Sequence, residues 1–192
     1  MNDKLKFKIA SVSTNQTVVN FTRNVPNILA GIDQAVKDGA DMVSFQELGL
    51  TGYTGDDYFK WINDEKEQKE ITDLLKYIAD YAKDKDSNLV LSVGFPFFYE
   101  DKTQRVKTNL GSEENPMLVD NPLYNITKKP FNAVAIIADG DIKAISAKSL
   151  QPDGPAEYEP RQFSSWPDYL GTTEINLSDG QKIPFGKVIV EL

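Results

Sequence analysis

The sequence contains neither cysteine nor histidine among its 192 residues. Without these side chains, the chain cannot form a disulfide or bind zinc through cysteine or histidine, and we expect no metal site. A Ser-His-Asp triad and a cysteine nucleophile are excluded as well. Any catalysis must therefore use carboxylates, lysines, tyrosines or serines, or a residue that these 192 positions do not supply.

Basic charge and long apolar runs are also scarce. The 21 lysines and arginines are outnumbered by 29 aspartates and glutamates, which gives a net charge of −8. This charge argues against non-specific binding to nucleic acid or to an anionic membrane. The longest apolar run, Ala133–Ala138, has only the length of a strand, and residues 1–6 lack the apolar core of a signal peptide. We therefore expect a cytoplasmic protein with no membrane or nucleic-acid partner.

Length and composition predict a single globular domain over residues 1–192, since 40% of the residues are hydrophobic and 26% are charged. The first part reads as a β-α-β unit. A strand at Lys6–Ser13 is followed by a helix that Asn24 can cap and that runs to Lys37, and then by a strand at Asp41–Phe45. No Walker A or G-x-G-x-x-G sequence accompanies this unit, so no nucleotide loop is recognisable.

The rest of the chain continues with one long helix and several strands. Residues 99–130 lose all periodicity, which indicates either a functional or a mobile loop. The spacing of apolar residues and the turn signals predict the following elements: a helix at Glu65–Lys83, strands at Leu89–Gly94, Phe131–Ala138, Ile142–Ala147 and Thr173–Leu177, and a strand starting at Gly186 in which the chain ends.

Two charged residues stand where predicted strands end. Glu47 follows the strand Asp41–Phe45 and precedes a glycine-rich turn, and Lys148 follows the strand Ile142–Ala147. Strand ends of this kind are common places for active-site groups, but Glu47 can equally cap a turn and Lys148 can be an ordinary surface lysine. The aromatic, acidic loop Tyr53–Phe59 can line a pocket or pack its rings over the edge of a sheet.

The residues around both positions resemble those of a known family. The segment from Phe45 to Tyr53, Phe-Gln-Glu-Leu-Gly-Leu-Thr-Gly-Tyr, is similar to the P-E-x-x-x-T-G-Y segment of the nitrilase (carbon–nitrogen hydrolase) superfamily. Lys148, followed by the segment Tyr158–Phe163, resembles its K-x-x-L-P-…-E-x-R-x-F segment. Asn132-Ala133 resembles the start of the hairpin before that lysine. Within the superfamily, Asp57-Tyr58-Phe59 and Ile183-Pro184-Phe185-Gly186 look most like the glutaminase domains of glutamine-dependent NAD⁺ synthetases.

The resemblance implies a fold and a site. The fold is an α+β, nitrilase-like αββα sandwich, expected to be incomplete at the carboxyl end. Glu47 would be the general acid–base, and Lys148 would stabilise the oxyanion. Supporting or substrate-binding roles are expected for Tyr53, Tyr158, Glu159 and Arg161. Glu159 and Arg161 would form either an ion pair that holds Lys148 or an exposed pair.

The family's third catalytic residue is a cysteine, which lies after the strand that here begins at Lys187. We therefore expect a partial glutamine amidohydrolase domain, truncated before its nucleophile and inactive alone. The resemblance implies a parent NAD⁺ synthetase that hydrolyses glutamine and passes ammonia to the amidation of deamido-NAD⁺. ATP, Mg²⁺ and deamido-NAD⁺ would bind a synthetase module absent from this chain, which itself would hold no cofactor.

Other interpretations stay open at this point. The chain can belong to a stand-alone amidase or nitrilase, or it can be a cysteine-free binding or assembly subunit. Under each of them a homo-oligomer is expected, since members of the superfamily pair their sheets across subunit interfaces.

Overall fold

A seven-stranded mixed sheet organises the chain in the computed structural model, which describes residues 6–62, 65–99, 107–109, 112, 114–115, 117–120, 129–152, 154 and 159–191. The strands follow the order β1-β2-β3-β6-β7-β9-β8 across the sheet. Their bounds are β1 Ile9–Val12, β2 Met42–Phe45, β3 Val90–Phe97, β6 Phe131–Ala138, β7 Asp141–Ala147, β8 Thr172–Asn176 and β9 Lys182–Gly186. Two further strands, β4 Lys107–Asn109 and β5 Leu118–Asp120, pair with each other.

Two long helices and two short ones accompany the sheet in the described part of the chain. They are α1 Phe21–Lys37, α2 Tyr58–Trp61, α3 Glu65–Lys85 and α4 Glu159–Gln162, with a short 3₁₀ turn at Asp168–Leu170. β1, β2 and β3 run parallel, with α1 and α3 as their crossovers. β6 and β7 then continue the sheet as an antiparallel hairpin. The carboxyl ends of β2 and β7 therefore lie at the same end of the sheet, because the antiparallel pairing of β3 with β6 makes β7 run in the direction of β2.

One face of the sheet is covered by α1 and α3. The predicted stripe of α3 is confirmed, because Ile71, Leu75 and Ile78 are fully buried. They pack in one core with α1 and with sheet residues such as Leu91 and Ala135. Burying one large aliphatic side chain stabilises a fold by about 1.5–3 kcal/mol, so this face supplies most of the hydrophobic stabilisation.

The opposite face is more polar and less completely buried. Along β6, buried Ala133 and Ala135 alternate with half-buried Val134 and Ile136, as the two-residue period of a strand dictates. Ser92 on β3 donates a hydrogen bond of 3.0 Å to Ser44 on β2. No described helix is long and apolar enough to cross a membrane.

The predicted cap of α1 is wrong by one turn. The helix begins at Phe21, and the Asn20 side chain caps it by accepting a 3.2 Å hydrogen bond from the Arg23 backbone N–H. Asn24 is instead fully buried inside the helix. Both asparagines suit a cap by type, and only the tertiary position of Asn24 separates them.

The last predicted strand is also wrong. Residues 187–191 are not a strand, and Ile189 is 97% exposed. The final strand is β9, which returns from the Asp179-Gly180 turn to pair with β8. The apolar pattern after Gly186 suits a strand, but a strand also needs a partner for its backbone hydrogen bonds. Within residues 99–130, where no periodicity was expected, the described part contains the β4–β5 pair.

Candidate active site

Glu47 lies two residues beyond β2, on a turn that rests against β3. The Leu50 backbone N–H donates a 3.0 Å hydrogen bond to the carbonyl of Gly94. A Cβ placed on Gly94 would lie 2.6 Å from the Leu48 nitrogen, so only glycine allows the turn to pack here. Leu48 itself has a positive φ of 51°, a conformation that bulky residues rarely adopt. The tight turn aims the Glu47 side chain at the end of the sheet.

Polar side chains hold this turn from the other side. The Gln46 amide clasps the backbone of Thr14, donating to its carbonyl at 2.9 Å and accepting from its N–H at 3.2 Å. The buried Asn24 donates a 2.9 Å hydrogen bond to the Leu50 carbonyl. Asn24 therefore helps to fix the turn that carries Glu47, which explains its burial within α1.

Lys148 follows β7 directly and is fixed through its backbone. Its N–H donates to the Asn132 carbonyl at 2.9 Å, and its carbonyl accepts from the Trp166 N–H at 2.9 Å. Trp166 is almost fully buried in an aromatic cluster with Phe185. The lysine is thus anchored between β6 and a packed segment, and only its side chain projects toward Glu47.

Glu159 begins α4 and is buried, with 5% of its side chain exposed. Phe163, one turn later, packs against Phe59 with ring centroids 4.9 Å apart and joins Leu48 in a small apolar cluster. Gln162 also donates a 2.9 Å hydrogen bond to Asp56. These contacts join α4 to the Tyr53–Phe59 loop beside the Glu47 turn.

Four side chains form a closed ring of hydrogen bonds. Lys148 Nζ donates to Glu47 Oε1 at 2.8 Å and to Glu159 Oε2 at 2.7 Å. Asn132 Nδ2 donates to Glu159 Oε1 at 2.6 Å and also to Glu47 Oε1. The Tyr53 hydroxyl donates to the other oxygen of Glu47, Oε2. Glu47 therefore receives donors on both of its oxygens.

These contacts fix the charge of the central pair. Burial raises the pKa of Glu47, but hydrogen bonds from Lys148, Tyr53 and Asn132 outweigh it and hold that pKa below its ordinary value. Burial lowers the pKa of Lys148, but Glu159 and Glu47 outweigh that effect and hold it above the ordinary value. Glu47 is thus a carboxylate and Lys148 an ammonium at neutral pH.

The pair faces a cleft of about 230 Å³ at the end of the sheet, on the face opposite α1 and α3. Glu47, Asn132 and Lys148 form its polar end, and Val134 and Ala147 belong to its apolar wall. A cleft with a few convergent polar groups on an apolar wall is typical of a small-molecule site. In the described part of the chain, no cluster of acidic side chains could hold a metal ion.

The sequence-predicted residues divide into three groups. Glu47, Lys148, Tyr53 and Glu159 are brought together, and Glu159 bonds Lys148 directly. Arg161 lies on the same short helix with an exposed side chain. Tyr158 lies outside the described residues. In the aromatic loop, Tyr53 reaches Glu47, whereas Phe59 packs with Leu48 and Phe163 in an apolar cluster.

Asn132 is the site residue that sequence reasoning missed. It was noted only as part of the hairpin that resembles the family. A polar residue near the start of the otherwise apolar strand β6 was the available signal. The two-residue period places it on the same face as Val134 and the cleft, but its partners come from positions 85 and 27 residues away.

The site thus joins a carboxylate and a lysine at the end of an α+β sheet, without histidine. The sequence matches the carbon–nitrogen hydrolase family over residues 8–188. The chain therefore belongs to this family, and the predicted membership of the nitrilase superfamily is confirmed.

Solved structures show the same fold. A glutamine-dependent NAD⁺ synthetase from Cytophaga hutchinsonii is similar with a TM-score of 0.70 and 23% identity over 97% of this chain and 26% of that one. The synthetase from Acinetobacter baumannii has a TM-score of 0.59 and 20% identity, covering 93% and 27%. An amidase from Nesterenkonia sp. has a TM-score of 0.53 and 15% identity, covering 93% and 54%.

The predicted nitrilase-like α+β fold is thereby confirmed. The chain spans about a quarter of the length of the two synthetases and about half of the amidase. A comparison with curated proteins finds no match.

Proposed function

We propose that this chain is the glutamine-hydrolysing part of a glutamine-dependent NAD⁺ synthetase. The parent protein releases ammonia from glutamine and uses it to amidate deamido-NAD⁺, with ATP and Mg²⁺ bound outside this chain. The observation that carries the proposal is the contact of Glu47 with Lys148 at 2.8 Å, at one end of a small-molecule cleft. The fold shared with two such synthetases supports the choice of parent.

The nucleophile must come from outside these 192 positions, because they contain no cysteine. An amidase of the same fold, from Nesterenkonia sp. AN1, has an active-site cysteine to which acrylamide adds. We place an equivalent thiol of the parent beside Glu47 and Lys148, at the polar end of the cleft. Of the four acceptor positions of the Glu47 carboxylate, three are occupied by Lys148, Asn132 and Tyr53. Among the contacts of the described residues, one position on Oε2 is left for the thiol proton.

The reaction then proceeds by acyl transfer. Glu47 takes the thiol proton while sulfur attacks the side-chain amide carbon of glutamine. The amide oxygen becomes an oxyanion, which the Lys148 ammonium stabilises by a hydrogen bond. Glu47 returns its proton to the leaving nitrogen, and ammonia departs as the thioester forms. Glu47 next takes a proton from the water molecule that attacks the thioester and passes it to the departing sulfur. This step restores the thiol and the Glu47 carboxylate and yields glutamate.

Glu159 keeps Lys148 charged and in place for this role. It is buried and accepts a second hydrogen bond from the Lys148 ammonium, in addition to the one that Glu47 accepts. Two carboxylates beside one ammonium favour the protonated lysine throughout the cycle, including the moments when Glu47 is neutral. Lys148 therefore acts as a fixed hydrogen-bond donor, and Glu47 is the group that moves protons.

Two other functions have specific support. The fold shared with an amidase favours a stand-alone carbon–nitrogen hydrolase with another amide substrate. The absence of cysteine favours a binding or assembly subunit that uses the cleft without chemistry. ATP-dependent formation of NAD⁺ from deamido-NAD⁺ and glutamine distinguishes the proposal from the first of these. Glutamine hydrolysis distinguishes it from the second.

The experiment uses the protein purified from its native source and the 192-residue chain in parallel. We expect the native protein to form NAD⁺ with glutamine as nitrogen donor and the isolated chain to release glutamate only at the background rate. Glu47→Gln should abolish use of glutamine and leave use of free ammonium chloride intact. Activity with neither nitrogen source, or clear glutamine turnover by the isolated chain, would contradict the proposal.

A further inference from the structure

Asn132 makes an unusual pair of contacts for a neutral side chain. Its single Nδ2 group donates to carboxylate oxygens of two different glutamates, Glu47 and Glu159. Asn132 is buried, with 4% of its surface exposed. Its backbone carbonyl also receives the N–H of Lys148 at 2.9 Å. One residue therefore touches all three charged members of the site.

The charges of the site explain why such a residue is needed. Glu47 and Glu159 carry two negative charges, and Lys148 supplies only one positive charge between them. An uncompensated carboxylate in a half-buried site is costly unless donors satisfy it. An asparagine amide offers two N–H donors without adding charge, whereas an aspartate would add a third carboxylate and a leucine no donor.

The position of Asn132 is held by the sheet. It lies on β6, between β3 and β7, where Asn132 is opposite Pro96 on β3. The amide therefore projects from a rigid central strand, while Glu47 and Glu159 come from a turn and from a short helix. A fixed donor between two less regular elements can set the distance between their carboxylates.

We propose that Asn132 is a positioning residue, whose one amide group holds the carboxylates of Glu47 and Glu159 where both contact Lys148. This role rests on the proposed function, because it places Glu47 where the thiol proton arrives. Asn132 itself touches no substrate in the reaction above. It acts by keeping Glu47 ionised and aimed at the cleft.

Among the described residues, the charged and titratable groups around Glu47 come from three elements. Lys148 comes from the end of β7, Tyr53 from the loop after β2, and Glu159 from α4. Lys129, near α4, is engaged with the Pro160 carbonyl at 2.5 Å. These neighbours are the same in wild type and in every Asn132 variant. A change in the titration of Glu47 therefore reports the substitution of Asn132.

The test is a carboxyl ¹³C NMR titration of the protein labelled at glutamate, with the Glu47 signal assigned by its loss in Glu47→Gln. Asn132→Asp keeps the size of the side chain and replaces the amide donors with a carboxylate. We expect the Glu47 titration midpoint to rise by about one pH unit or more, as a nearby like charge demands. Asn88→Asp is the matched control. Asn88 is exposed and lies in the turn before β3 begins, at the end of the strand away from Glu47. Asn88→Asp should leave the midpoint unchanged.

Asn132→Ala provides a second route to the same answer, and circular dichroism checks the fold of each variant. Removing the donor without adding charge should raise the midpoint in the same direction by a smaller amount. An unchanged Glu47 midpoint in a folded Asn132→Asp or Asn132→Ala protein would overturn the role. If the wild-type parent does not hydrolyse glutamine, the proposed function is rejected, but the titration of Glu47 can still be measured. The failure of the proposed function and the failure of the Asn132 role are therefore distinguishable.

Discussion

The two faces of the sheet are built for different purposes. On one side, α1 and α3 bury large aliphatic residues such as Ile32, Leu75 and Ile78 completely against the sheet. The other face carries Ser44, Ser92 and half-buried Val134, and the cleft opens at its end. The face covered by α1 and α3 stabilises the fold through apolar packing. The face that carries the cleft is packed less completely and positions charged groups. Substitutions on the two faces should therefore affect different observables.

The largest expected effect is on the chemistry of the cleft face. Lys148→Met removes the proposed oxyanion donor but keeps an unbranched side chain. In the full protein of the proposed function, kcat for glutamine should fall about 10²–10³-fold, the usual effect of losing one such donor. Activity with free ammonium chloride should not change. Lys143→Met is the control, because Lys143 lies on β7, the strand that Lys148 follows, and pairs only with surface aspartates among the described contacts.

The helix-covered face should respond in stability. Ile78→Ala leaves a cavity in the core and should lower the free energy of unfolding by about 2–5 kcal/mol, measured by urea denaturation. Tyr77 is the matched control, since it is the neighbouring residue and is 53% exposed. Tyr77→Ala should cost no more than about 0.5 kcal/mol. Equal losses for both variants would contradict the assignment of this face to the core.

A third test concerns Gly94, where β3 packs against the turn that carries Glu47. In Gly94→Ala the new methyl group would lie 2.6 Å from the Leu48 nitrogen and would displace the Glu47 turn. We expect a loss of about 1–3 kcal/mol in unfolding free energy, together with a changed Glu47 titration. Gly154 has no atom within 4 Å of an added Cβ, so Gly154→Ala serves as the control and should change neither quantity.

The smallest expected effect is the pH dependence of stability at the site. Because the folded pKa of Glu47 is lowered, its contribution is present above the unfolded pKa of about 4.3 and is lost as pH falls through the folded pKa. The raised pKa of Lys148 gives a contribution that is lost only in strongly alkaline solution. The melting temperatures of wild type and Glu47→Gln should therefore converge below pH 4. A constant difference down to pH 2 would contradict this origin.

The sequence predicted the helix-covered face better than the cleft face, for a physical reason. Apolar periodicity is a local signal, so α3 and the β6–β7 hairpin were predicted nearly to their ends. Glu47 and Lys148 were predicted from motifs and from their places after strands. Asn132 was not, because its contact with Glu47 joins residues 85 positions apart. The direct hydrogen bond between Lys148 and Glu159 spans only 11 positions, but it depends on how α4 packs beside the Glu47 turn. The strand β9 was missed as well, since its pairing with β8 is a tertiary contact.

The central claim is that Glu47 and Lys148 serve a thiol that these 192 residues do not contain. The most direct measurement is the intact mass of the native protein, before and after inactivation with iodoacetamide. We expect a native protein with a mass well above 21.5 kDa. We also expect that alkylation of one cysteine stops glutamine hydrolysis. A native protein of 21.5 kDa, or glutamine hydrolysis that alkylation leaves untouched, would contradict the central claim.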